Sequence, residues 1–124
     1  MRHALPLLAV LVGSPAAVAA DPPLKLLFLG DAGHHKPADR FAQLQPVFAA
    51  RGIELTYTAS LADLNPLTLG GYDGLMVFAN HTRIAADQEK ALLDFVAADK
   101  GFVPVHCASY CFLNLQAYVE LVGA

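Results

Sequence analysis

The residues able to do chemistry fall in three short runs: Gly30-Asp31-Ala32-Gly33-His34-His35-Lys36, Asn80-His81-Thr82-Arg83, and His106-Cys107-Ala108-Ser109. Together they hold all four histidines that follow residue 20. Imidazole titrates near neutral pH, so it can act as general acid, general base or metal ligand without special tuning. Three chemistries suit these residue types. The first is nucleophilic catalysis on a strained strand-to-helix turn, where backbone N–H groups stabilise an oxyanion. Such a turn wants small residues two before and two after the exposed one. Cys107 is flanked by Val105 and Ser109, and valine is bulky; His106 is flanked by Pro104 and Ala108. The turn is therefore expected to present His106, with Cys107 beside it. A thiol at a helix start next to an imidazole could carry a lowered pKa; the alternative is a small cysteine that only packs.

The second chemistry is a metal site. His34 or His35, His81 and His106 could converge, with Asp31 as an oxygen ligand. Three protein ligands and an open position make a catalytic zinc pattern, so zinc is the metal to test. The spacing matches no local metal motif. The third is recognition of a sugar or polyol by Asp31, His34, His35, Lys36, Asn80, His81, Arg83 and Ser109, with a histidine doing acid–base work. Cys107 and Cys111 stand four apart, and on a regular helix bridging them would distort the backbone, so two free thiols are expected. Gly30 to Gly33 is not a G-x-G-x-x-G run and no G-K-[ST] follows, which argues against a dinucleotide or Walker phosphate loop.

The elements that must position these runs alternate. Leu24 to Leu29 is a nearly continuous apolar run, as a buried parallel strand requires. Pro37 suits a first helical turn; Phe41, Leu44 and Phe48 recur at helical spacing; Pro46 predicts a kink or a re-initiated turn, and Arg51-Gly52 a stop. Ile53 to Ala59 alternates apolar and polar residues, as a strand nearer an edge does. Ser60 to Gly71 reads as connection, with Leu61, Leu64 and Leu67 covering the core. Gly74 to Ala79 is a third strand, Asp87 to Asp99 a helix stopped by Gly101, and Phe102 to Val105 a fourth strand, again buried. Cys111 to Val122 reads as a last helix with Phe112, Leu115 and Val119 on one face. Strand–helix alternation means an α/β parallel sheet, and ligands of such sheets bind outside the carboxyl ends of the strands. All three polar runs fall there.

The chain has 124 residues, a 56% hydrophobic and a 15% charged fraction, and net charge −3. That excludes a disordered chain and disfavours a basic nucleic-acid surface. The two cysteines are too few for a disulfide scaffold. Met1-Arg2-His3, the apolar stretch to Val12 and the small residues Ala16 to Ala20 have the order of a secretory signal. Residues 1–20 are thus expected to be a cleaved signal, and residues 21–124 an exported domain, periplasmic or secreted. The apolar stretch is well short of the ~20 residues a membrane span needs, so no membrane association is expected after cleavage.

The strand LKLLFLG with GHHKPADRF, the GIELTYT and YDGLMVFANH strands, the helix ALLDFVAADKG and the turn GFVPVHCAS together resemble the ThuA-like (trehalose utilisation) family. The resemblance implies a flavodoxin-like, class I glutamine amidotransferase-like α/β fold. It also implies a domain roughly twice this long, so the sheet is expected to be incomplete at its C-terminus. Where amidotransferases place a catalytic cysteine, His106 stands here, which puts amidotransferase chemistry in doubt. The expected function is binding or processing of a carbohydrate or keto-sugar derivative. His106 is the central group, Cys107 its neighbour, and Asp31, His34, His35, Asn80, His81 and Ser109 contact the substrate. A Cys107-dependent amidase or hydrolase and a non-catalytic sugar-binding or assembly module are the alternatives. A small-molecule carbohydrate is the expected partner, a second copy of the chain is also considered, and nucleic acid is not expected.

Overall fold

A computed structural model describes residues 20–123. The signal expected over residues 1–20 lies almost wholly outside the described residues. Strands β1 (Leu24–Leu29), β2 (Ile53–Thr58), β3 (Gly74–Val77) and β4 (Gly101–Pro104) form one parallel sheet in the order β2-β1-β3-β4. Leu29 is level with Thr58 on one side and Val77 on the other, and Val77 is level with Pro104. The residues that follow therefore emerge along one rim.

Alternation within the strands explains the two layers. Leu27, Leu29, Leu75 and Val77 point to one face, where they pack with Leu64, Leu69, Leu92, Phe95, Phe112 and Tyr118. Phe28 and Met76 point to the other, against Phe41, Leu44 and Phe48. Helix α1 (Pro37–Ala49) covers that second face. Helices α2 (Pro66–Leu69), α3 (Ala86–Ala97) and α4 (Gln116–Val122) supply the first. Helices thus lie on both faces of the sheet, as the flavodoxin-like reading requires. Among the described residues no helix is long and apolar enough to cross a membrane.

Several local expectations are corrected. Helix α1 continues through Pro46 instead of re-initiating there. Ala42, whose carbonyl loses its partner, is exposed, so that carbonyl faces water. Gly52 does take the left-handed conformation after the helix, at φ 74°. The connection from Ser60 to Gly71 contains a short 3-10 turn and helix α2. The latter is capped by the Asn65 side chain, which accepts from the Thr68 N–H at 2.9 Å. Within that connection Leu64 and Leu69 are buried, whereas Leu67 is 92% exposed. Helix α3 is ended by Asp99 at φ 60°, not by Gly101, which opens β4.

Two further differences bear on the site. Strand β4 is an exposed edge rather than a buried strand, because no described residue pairs with its outer side. The helix expected from Cys111 begins only at Gln116. Before it, His106–Tyr110 form a 3-10 turn, Cys111 is extended and Phe112 is left-handed at φ 50°. Tertiary bonds win over helical spacing here. The N–H groups of Phe112 and Leu113 donate to the carbonyls of His81 and Thr82, at 2.7 and 2.9 Å. Tyr118, not Val119, is the fully buried residue of α4.

Candidate functional site

Three loops build the site, each starting in register from its strand. The N–H of Gly30 donates to the Thr58 carbonyl, that of Phe78 to Leu29 and that of Val105 to Val77, at 2.8 to 2.9 Å. The β1 loop is then shaped by Asp31. Its Oδ1 accepts from the Gly33 N–H at 2.7 Å, and its Oδ2 from the Asn80 N–H across the sheet. The Tyr57 hydroxyl donates to the Asp31 carbonyl at 3.3 Å. Both carboxylate oxygens are thus engaged with backbone N–H groups, and Asp31 ties the β1 and β3 loops together.

The β3 loop is anchored from the other side. Asn114 accepts from the Ile84 N–H and donates to the Ile84 carbonyl, each at 3.1 Å. Adjacent residues of this loop then diverge. Asn80 lines a cleft, whereas the Nε2 of His81 lies 2.9 Å from the Gly30 carbonyl and donates to it. His81 is therefore a loop tie, and the expected set of His34, His81 and His106 does not assemble. No group of three or more His, Cys, Asp or Glu residues that could hold a metal occurs among the described residues.

After β4 the backbone turns sharply. His106 sits at φ 48°, a left-handed conformation that costs a non-glycine residue of order 1 kcal/mol or more. That strain is the exposed turn expected at His106. Its ring projects into the cleft with those of His34 and His35. The His34 and His35 centroids are 3.9 Å apart, and those of His35 and His106 4.7 Å apart at 87°. The Phe78 ring lies 6.0 Å from His35 and 6.2 Å from His106. Partial desolvation, then the neighbouring His34 and His106, lower the His35 pKa, and Asp31 opposes them. The cleft measures about 620 Å³, and Thr82, Cys107, Ser109 and Tyr110 complete its wall.

The Cys107 thiol is 7% exposed, and burial pushes its pKa up, with its own backbone hydrogen bond and Asp31 as smaller influences. Of the two readings of this thiol, the direction favours the cysteine that packs over the one with a lowered pKa. The following turn is short and the thiol faces apolar neighbours of the α1 side. A nucleophilic cysteine needs the opposite environment. Cys111 is also free and buried; its thiol donates to the Ala79 carbonyl at 2.7 Å. The Ser109 hydroxyl donates to the His106 carbonyl at 3.2 Å, steadying the turn. Tyr110 is 61% exposed at the cleft's rim and was not among the residues expected from sequence. Its signal was an aromatic side chain four residues past the strained turn.

The family model described as trehalose utilisation (ThuA) matches residues 25–124. The chain belongs to the ThuA family. A structure described as a putative ThuA-like protein from Bacteroides uniformis ATCC 8492 superimposes with a TM-score of 0.63 at 21% identity. The match covers 90% of this chain and 48% of that one, so this ThuA chain spans about half the length of that neighbour. At that identity the likeness shows the shared fold. No curated protein matches the chain.

Proposed function

We propose that this ThuA-family domain binds a carbohydrate in the cleft above the carboxyl ends of β1, β3 and β4, in the service of sugar utilisation. Residues 1–20 direct its export to the periplasm or outside the cell. The observation that carries the reading is the convergence of the His34, His35 and His106 rings on one cleft. Asn80, Thr82 and Ser109 there supply amide and hydroxyl groups suited to polyol recognition. An imidazole held on a strained turn has a fixed direction, as a group that donates or takes a proton from a bound hydroxyl requires. His106 fills that role, and His34 and His35 orient the ligand. The burial of Cys107, which pushes its thiol pKa up, counts against the amidase alternative.

The test is calorimetric titration of the purified protein with trehalose and with glucose, repeated on His106→Asn. Asparagine tolerates the left-handed backbone, so the variant keeps the turn and loses the imidazole. Saturable binding that weakens about tenfold or more in the variant, with an unchanged Tm, is expected. Absence of binding, or equal binding by the variant, contradicts the reading. Turnover of a bound sugar would separate an enzyme from a pure binding module.

A further inference from the structure

The cleft combines many donors with no anionic acceptor. None of its wall residues is Asp or Glu. The nearest carboxylate, Asp31, is held by the N–H groups of Gly33 and Asn80. Neutral sugars present rows of hydroxyl donors, and a carboxylate is the strongest acceptor for them. A wall of three imidazoles, an amide and hydroxyls instead favours ligand oxygens that accept. The formal charge of the three loops points the same way. Lys36, directly after His35, and Arg83, directly after Thr82, are both exposed, and Asp31 is the only acid in the three runs. With histidines neutral, the three runs thus carry a formal +1 (Lys36 and Arg83 against Asp31) on a chain of net charge −3. A rim of one sign concentrates ligands of the other.

Building on the carbohydrate reading above, we infer that the cleft selects a sugar derivative bearing an oxyanion, a carboxylate or a phosphate, over the neutral sugar. The oxyanion sits among the N–H groups of His34, His35 and His106, and the polyol part extends toward Asn80, Thr82 and Ser109. The exposed Tyr110 ring offers an apolar surface to the ligand's carbon skeleton at the rim.

The test titrates the purified protein with gluconate, glucose 6-phosphate and glucose at low and high salt. One or both anions should bind about tenfold tighter than glucose at low salt, and the gap should narrow at high salt. Which anion binds tighter distinguishes the carboxylate from the phosphate. Arg83→Gln, an exposed change outside the core, should weaken the anions severalfold and so narrow their margin over glucose. Glucose binding as tightly as both anions overturns the inference and leaves the carbohydrate reading standing. Failure of all three ligands overturns both. Equal binding of inorganic phosphate or acetate removes the polyol from the site, and with it this inference.

Discussion

Asp31 and Asn80 lie 49 residues apart, yet the carboxylate of the first accepts the backbone N–H of the second and so ties the β1 loop to the β3 loop. The same carboxylate holds Gly33, just before the two histidines of the cleft. One acid thereby sets both walls of the site. Asp31→Asn keeps the shape but turns an amide NH2 toward one of two N–H donors. It should destabilise the fold by about 1–3 kcal/mol in urea denaturation. It should also move the His34 and His35 imidazole resonances. A variant with native stability and unshifted resonances would remove Asp31 from this role.

Gly30 stands where β1 meets the loop, and a side chain there has no room. A Cβ would fall 2.6 Å from the Tyr57 ring and 2.7 Å from the Pro37 side chain. Gly30→Ala should therefore cost about 1–3 kcal/mol by overpacking. The damage should reach the site, because His81 and Tyr57 both bond to this loop's carbonyls. Denaturation midpoints of Gly30→Ala and Gly33→Ala can be compared. Gly33→Ala, whose Cβ meets only the Asp31 carboxylate, should lose less.

The two thiols give a prediction in pH. Burial raises Cys111 from 9.0 to about 12, against a smaller lowering by a hydrogen bond from the His81 backbone. In the unfolded chain the thiol loses its proton near 9, while the folded chain keeps it to higher pH. Between those values the folded state binds more protons, so stability falls as pH rises. The contribution is complete below pH 9 and lost toward pH 12. Cys111→Ala should flatten the decline over that window in denaturation series, from a lower starting stability because the Ala79 carbonyl loses its donor. Iodoacetamide should modify Cys107 slowly at neutral pH and Cys111 more slowly still. Rapid alkylation of Cys107 at pH 7 would restore the nucleophile reading.

Tyr118 locks the turn that bears His106 from beneath. It is fully buried, and its hydroxyl donates to the Ala108 carbonyl at 2.9 Å. Tyr118→Phe keeps the ring packing against Phe102 and Phe112 and removes one of that carbonyl's two donors, leaving the Cys111 N–H at 3.1 Å. A loss of about 1–2 kcal/mol is expected in thermal or urea unfolding. Sugar affinity should fall with it, because the ring position of His106 depends on this turn.

Much of the framework was legible in the sequence. Near-continuous apolar runs marked β1 and β3, the two inner strands of the sheet, and the alternating Ile53 to Thr58 stretch marked an edge. The turn at His106 followed from its small flanking residues. Long-range contacts decided what was not legible. Phe112, Leu115 and Val119 have helical spacing, but backbone bonds to His81 and Thr82 pull Phe112 out of the helix. Asn80 and His81 are neighbours of similar polarity, and only the position of the Gly30 carbonyl decides which one enters the cleft. Residue type marked Asp31 as a ligand group, whereas its partners, two backbone N–H groups, leave no mark in a sequence. The apolar β4 looked buried because composition does not reveal whether a strand has a neighbour on its outer side.

The most direct test of the shared cleft follows the imidazole resonances of His34, His35, His81 and His106 by NMR while trehalose or gluconate is added. His34, His35 and His106 should shift together with one saturation curve, and His81, tied to Gly30, should stay in place. Shifts confined to His81, or none in the other three at saturating ligand, would contradict a binding site at this rim.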